Sequence, residues 1–336
     1  MRLSVLDQSP ISEGSTGAQA LRNSIDLARL ADRLGYHRYW VAEHHATPML
    51  ACASPEALIG PIASVTSRIR VGSGGVMLPH YSPLKVAETF SMFSGLFPDR
   101  IDLALGRAPG TDGLTMFALQ RDRRMGAPDD FPEQLAELLG YLGQSLPPAH
   151  PFARLSALPG RPERPQPWLL GSSPQSGVWA AERGLPYAYA DFINPGGREI
   201  AARYRTEFQP SPWRASPEVI VAVWIICAET EEEAQRLASS GVMVFKLLRR
   251  GEPIAVPPVE RALRFIEDER RDRDRSSLPQ ADRRRIVGSP SLVREGIEAA
   301  AAEYGADEVM IVTITYEHEA RRRSYELIAR AFGLTE

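Results

Sequence analysis

Cysteine is nearly missing from this chain: Cys52 and Cys227 are the only two in 336 residues. They stand far apart and match no metal or redox spacing, which excludes a disulfide framework. That scarcity points to a reducing, cytoplasmic setting. No run of about 18 apolar residues occurs, so no membrane-spanning helix is expected. The opening stretch, MRLSVLDQSP, lacks the apolar core of a signal peptide. Neither sign of charge is in excess. A formal net charge of −3 excludes the basic face of a nucleic-acid binder. Also absent is a G-x-G-x-x-G after the first predicted strand, which argues against a dinucleotide-binding open sheet.

What is present is alternation. Short apolar strands are predicted at Arg2–Leu6, Tyr39–Ala42, Ile69–Val76, Ile101–Leu105, Trp168–Leu170, Tyr187–Ala190, Val219–Cys227 and Glu308–Thr315. Amphipathic helices are predicted between them, at Gln19–Leu34, Pro55–Thr66, Pro83–Leu96, Pro174–Arg183, Arg198–Phe208, Glu231–Leu248 and His318–Phe332. A further helix, Ser291–Tyr304, precedes the last strand and is stopped by Gly305. Eight strand–helix units in one domain spanning 1–336 favour a closed (β/α)8 TIM barrel over an open sheet. Two segments interrupt the repeat. Gln144–Gln166 is rich in proline and reads as an insertion over the barrel mouth. Arg249–Arg285 is dense in charge and reads as a solvated helix plus a connection, or as a lid.

In a parallel barrel the site forms at the C-terminal ends of the strands. Gly171, Ser172, Ser173 and Pro174 run from the fifth strand directly into a helix. Proline suits a first helical turn, and Ser173 suits the cap. Free amides and the dipole at such a start favour a phosphate, with Ser173 and Ser176 adding hydroxyls. Arg107 and Arg121, after the fourth strand, can supply charge-assisted bonds. An ordinary cap without a ligand is the plain alternative. Glu43, His44 and His45 follow the second strand. Neighbouring residues on an extended strand point to opposite sides, so one histidine faces the site and the other is structural. Histidine titrates near neutral pH and can move protons there. No second His or Cys cluster supplies the ligands of a zinc site. Gly72, Gly74 and Gly75 end the third strand and either admit a planar ring or relieve crowding.

Together these segments resemble the luciferase-like monooxygenase family, closest to its single-chain oxidoreductases often found beside natural-product genes. The resemblance is carried by Trp40-Val-Ala-Glu-His-His45, Val71-Gly-Ser-Gly-Gly-Val-Met-Leu-Pro79 and Phe97-Pro-Asp-Arg-Ile-Asp-Leu-Ala-Leu-Gly-Arg-Ala-Pro-Gly110. Trp168-Leu-Leu-Gly-Ser-Ser-Pro174 and Val287-Gly-Ser-Pro290 complete it, in order across nearly the whole chain. It implies a TIM barrel that takes reduced FMN from a separate flavin reductase, reacts with O2 and places one oxygen atom on a small organic substrate. It implies that Arg107, Ser173 and Ser176, with Arg121, hold the flavin phosphate beside Gly171 and Ser172. It implies further that the Gly74, Gly75 and Val76 backbone lies against the ring, often with a non-prolyl cis peptide, and that His44 is the active-site histidine. Light-emitting members carry a cysteine where this chain has Gly106 and an acidic residue where it has Ser172, so light emission is not expected. Two alternatives stay open on the same barrel: F420-dependent hydride transfer and non-catalytic flavin binding. A homodimer through Pro55–Thr66 and Val86–Leu96 is expected, since Ile59, Ile62, Val65, Phe90, Met92 and Phe93 exceed one apolar face.

Overall fold

Strand residues of this chain sort by parity. Odd positions such as Val5, Val41, Val71, Leu103, Leu169, Val221 and Ile311 lie in one buried cluster with helix residues Leu27, Ile59, Phe90, Leu138, Ile297 and Ile328. Even positions Leu6, Trp40, Ala104, Trp168, Ala188, Ile220 and Met310 lie in a second. A strand sends alternate side chains to opposite faces, so two cores on one sheet mean that it has closed on itself. The structure, a computed structural model, describes residues 1–108, 110–119, 129–143, 145–155, 163–273 and 285–334.

The strands are β1 (Arg2–Asp7), β2 (Arg38–Val41), β3 (Arg70–Met77), β4 (Ile101–Gly106), β5 (Gln166–Gly171), β6 (Tyr187–Ala190), β7 (Val219–Cys227), β8 (Arg285–Gly288) and β9 (Glu308–Val312). Every pairing is parallel. β1 to β6 pair in sequence order, β6 pairs with β7, β7 with β9, and β9 with β1. Eight strands therefore close the expected (β/α)8 barrel. β8 pairs with the end of β7, from Trp224 to Cys227, and is not part of the ring.

The helices are α1 (Gly17–Arg33), α2 (Pro55–Ser64), α3 (Pro83–Leu96), α4 (Gly113–Leu119), α5 (Phe131–Leu142), α6 (Pro174–Glu182), α7 (Arg198–Glu207), α8 (Glu231–Arg249), α9 (Val259–Arg273), α10 (Pro290–Tyr304) and α11 (His318–Phe332). Three findings correct the sequence reading. First, α4, α5 and β8 were not expected. Second, the helix covering β7 from outside is α10, whose Val293 and Ile297 join the outer core. By contrast, Ala234, Leu237 and Ala238 of α8 pack on the inner cluster with Trp224. Val244 of α8 also meets Met49, Leu50, Val256 and Ile314, all from segments beyond strand C-termini. The insertion over the mouth is thus α8 through α9, tied down where Val256 pairs with Ser12. Third, the described residues 145–155 of the expected insertion Gln144–Gln166 lead from the end of α5 toward the start of β5, the end of a β/α unit opposite the mouth, while residues 144 and 156–162 of it lie outside the described residues.

That opposite end is plugged by charge. Arg38 is 3% exposed. It donates to Asp102 at 2.8 Å and Glu308 at 3.1 Å, and its guanidinium lies 4.6 Å from the Trp168 ring centre. Trp40 Nε1 donates to Asp102 at 3.0 Å. Burial alone would raise the Asp102 pKa, but Arg38 and Arg70 hold it below the ordinary carboxylate value. Ions are tolerated in such an interior only when each has its partners.

Candidate active site

Above the plug the inner side chains become small. Leu6, Ala42, Gly74, Gly106, Ala188, Ala222 and Met310 line a cavity of about 280 Å³ at the C-terminal mouth. Its rim carries Gln8, His44, Arg107, Ser172, Ser173 and Phe192. Small residues over a floor of Trp40, itself packed edge-on against Trp168 with ring centres 5.4 Å apart, leave room for a planar group. A larger hollow of about 1050 Å³ lies between α8, α9 and β7–β8. It shares only Phe192 with the mouth cavity and holds none of the candidate site residues, although Arg249–Arg285 supplies much of its wall.

β5 delivers the helix start as expected. Ser173 caps α6, its Oγ accepting from the Ser176 amide at 3.4 Å, with Pro174 in the first turn. Gly171 is needed here: a Cβ would sit 2.5 Å from Ser176 Oγ. The Ser176 hydroxyl is already engaged, donating to the Ser173 carbonyl at 2.7 Å and bonding Tyr187 Oη at 2.9 Å. The Ser172 carbonyl accepts from Asn194 Nδ2 at 2.9 Å. Arg107, after β4, reaches α6 across the gap: its guanidinium lies 5.4 Å from the Trp179 ring centre. It also pairs with Asp129 at 3.0 Å. Arg121 falls outside the described residues.

β3 contains a cis peptide between Gly74 and Gly75, and its register to β4 shifts between Gly74 and Val76. Gly74 lines the cavity. Gly75 and Val76 do not, and the Val76 side chain belongs to the outer core. Beyond them, Met77 N–H donates to Glu43 Oε2 at 3.0 Å. Glu43 also accepts from Tyr81 Oη at 3.0 Å and pairs with His45 Nε2 at 2.7 Å. Burial raises the Glu43 pKa, and the bonds from His45 and Met77 offset only part of that rise.

The two histidines divide as alternation requires. His45 turns to Glu43 and the edge of His80, with ring centres 5.8 Å apart. His44 faces the cavity, and its buried Nδ1 has no hydrogen-bond partner. Burial, and then the neighbouring His45, lower its pKa from 6.5 to about 4. His44 is therefore neutral at pH 7, which corrects the reading of a group titrating near neutrality. Sequence reasoning left Gln8, Leu170, Trp179 and Phe192 out of the site. Strand alternation was the available signal for the first, because Leu6 and Gln8 share a face. Among the described residues no group of acidic, histidine or cysteine side chains is arranged for a metal. Both cysteines are buried free thiols, and burial pushes each to about 12.

A parallel (β/α)8 barrel whose mouth holds an apolar-floored cavity, flanked by a capped helix start, belongs to the class of ligand-binding barrel proteins. The comparisons narrow that class. Residues 1–330 match the family model for luciferase-like monooxygenases. The N-acetyl-S-alkylcysteine monooxygenase of Bacillus subtilis (strain 168) is 36% identical over 332 residues, 98% of either chain. The crystal structure of apo-MsnO8 is similar with a TM-score of 0.89 at 43% identity, over 99% of both chains. The chain belongs to the luciferase-like monooxygenase family. The barrel is also shared by the oxygenating constituent of a 3,6-diketocamphane monooxygenase in complex with FMN, at 20% identity and TM-score 0.71 over 98% of this chain and 97% of that one. An F420-dependent secondary alcohol dehydrogenase has it at 12% identity and TM-score 0.67, over 98% of both chains. These two likenesses concern the fold alone.

Proposed function

We propose that this chain is a cytoplasmic FMN-dependent monooxygenase that oxygenates a small organic substrate with O2, taking reduced flavin from a separate reductase. The observation that carries the reading is one cavity with unlike ends. At one end stand Arg107 and the capped start of α6; at the other, His44 presents a buried, unpaired Nδ1. The amides of α6, Ser173 and Arg107, with Arg121, would hold the phosphate, while Ser176 supports the turn from behind. Gly74 and the small inner residues would flank the ring. Bound reduced FMN would supply the electrons that activate O2. Neutral His44 holds or passes a proton at Nδ1 beside it, and Trp40, Leu6 and Met310 keep water from the floor. The acidic residue and cysteine of light-emitting relatives are replaced by Ser172 and Gly106, which favours oxygenation without light.

Anaerobic titration with reduced FMN, riboflavin and F420 tests this reading. Reduced FMN binds, and Arg107→Ala and Ser173→Ala weaken it by about 10- to 100-fold, the worth of a charge-assisted hydrogen bond. Riboflavin has no phosphate and binds wild type and both variants equally. Preference for F420, with no O2 consumed when substrate is added, would replace this reading with hydride transfer.

A further inference from the structure

Gln8 is a buried polar side chain that neither the fold nor the proposed chemistry employs. It is 6% exposed and lines the mouth cavity. Its Oε1 is buried without a hydrogen-bond partner among the described residues. Buried carboxamides are nearly always bonded, so an unpaired one calls for a ligand or a bound water.

Its backbone is held on both sides. Before it, Asp7 accepts from the Ser9 amide at 2.7 Å and from Arg321 at 2.6 Å, and takes a further bond from Tyr39 Oη. After it, Ser9 sits at φ 50°, its Oγ 2.8 Å from Ser24 Oγ and its carbonyl accepting from Ala51 at 2.9 Å. These bonds fix the backbone on either side of Gln8, and so the point from which its side chain enters the cavity lining.

Ring order shows what reaches it. Around the barrel, β1 stands four strands from β5 in either direction. A group anchored by phosphate at β5 and α6, and extending across the mouth, brings its far end to β1. A carboxamide offers a donor and an acceptor side by side in one plane. Its complement is an N–H beside a C=O, also in one plane. On a flavin ring an N–H bonded directly to a carbonyl carbon, the match of a carboxamide, occurs only in the pyrimidine ring; the dimethylbenzene edge has no hydrogen-bonding atoms. We infer that Gln8 is the positioning residue for the flavin ring, its carboxamide pairing with the N3–H and adjacent carbonyl of the pyrimidine edge. This rests on the flavin reading above. It also gives the ring an orientation, pyrimidine toward β1, with His44, which follows neighbouring β2, beside it.

The test is anaerobic equilibrium binding of reduced FMN and reduced N3-methyl-FMN, followed by protein tryptophan fluorescence, to wild type and Gln8→Met. Methionine conserves volume and removes the amide. Far-UV circular dichroism of both proteins accompanies the titration. Wild type binds FMN about 3- to 10-fold more tightly than Gln8→Met, the range of a neutral hydrogen bond. N3-methylation weakens wild type by at least that much and changes Gln8→Met far less. Equal binding of FMN and its N3-methyl form by wild type overturns the proposal without recourse to the variant. So does FMN affinity in Gln8→Met within a factor of about two, the result expected if Gln8 holds only a water. Wild type that binds no FMN at all overturns the flavin reading and this inference with it.

Discussion

His44 shows how one side chain's surroundings change its duty. A histidine at a barrel mouth suggests an acid or base working near pH 7. In this cavity burial holds it neutral down to about pH 4, so Nδ1 can accept a proton or a hydrogen bond, but no imidazolium stands ready to donate. Its removal should spare flavin binding and cost chemistry. His44→Ala is expected to keep reduced-FMN affinity and to lose product by about 10²- to 10⁴-fold, with the consumed oxygen released as hydrogen peroxide. Product and peroxide per reduced flavin, with His45→Ala as comparison, decide it; unchanged product yield removes His44 from the mechanism. The same shift is also a stability statement. Between pH 6.5 and 4 the unfolded chain protonates His44 and the folded chain does not. Stability is thus complete above pH 6.5 and declines as pH falls toward 4, by roughly 3 kcal/mol in all for this group. His44→Gln, which cannot titrate, should lose correspondingly less over that window in urea unfolding at stepped pH. Parallel curves for the two proteins would show that His44 is not shielded as described.

Among the elements, β3 is closely hemmed in by its neighbours. A Cβ on Gly75 would stand 2.5 Å from the Ala104 carbonyl oxygen and 2.6 Å from Leu170 Cδ2. A neighbouring strand's backbone cannot yield as a flexible side chain can. Gly75→Ala is therefore expected to destabilise the fold by about 1–3 kcal/mol and to lower the denaturation midpoint; an unchanged midpoint would refute the packing argument. At this scale the sequence was most legible where local chemistry and tertiary packing agree. The run from Val219 to Cys227 is buried at every position and could only be an inner strand. Ser173 and Pro174 announced the start of α6 by cap chemistry alone. β8 escaped notice because it is four residues long and exists through its pairing with β7, a contact that spacing cannot reveal. α5 did carry a signal, with Phe131, Leu135, Leu138 and Leu142 at helical spacing. α8 has the amphipathic pattern of a barrel helix, and its pattern does not say that its apolar face meets the mouth. The parts of the site that come from distant segments, such as Phe192 after β6 and Trp179 of α6 beside Arg107, depended on closure of the ring and were not readable one segment at a time.

The two ends of the whole barrel differ in kind: charge and tryptophan close one, and an apolar cavity lies at the other. The expected dimer surface is narrower in the structure than in the sequence. Ile59, Ile62 and Phe90 are buried in the chain's own core, and Phe93 packs partly against it. What remains is Val65 just past α2, 37% exposed, with Met92 and Leu96 on α3, 55% and 68% exposed. α2 and α3 touch through Gly60 and Phe93, where a Cβ on Gly60 would lie 3.3 Å from the Phe93 ring. Their C-terminal ends therefore present these side chains together, away from the mouth. Scattered exposed apolar residues are ordinary, whereas neighbours on adjoining helices suit a two-fold contact in which each copy offers the same patch. We propose a homodimer here. Light scattering at micromolar concentration is expected to give twice the 37.1 kDa chain mass. Met92→Glu with Leu96→Glu places like charges across the two-fold and should yield the single-chain mass, with reduced-FMN affinity unchanged because the cavity lies at the far end of the barrel. Wild type at the single-chain mass would show that these helices face solvent, and a dimer untouched by both substitutions would place the contact elsewhere.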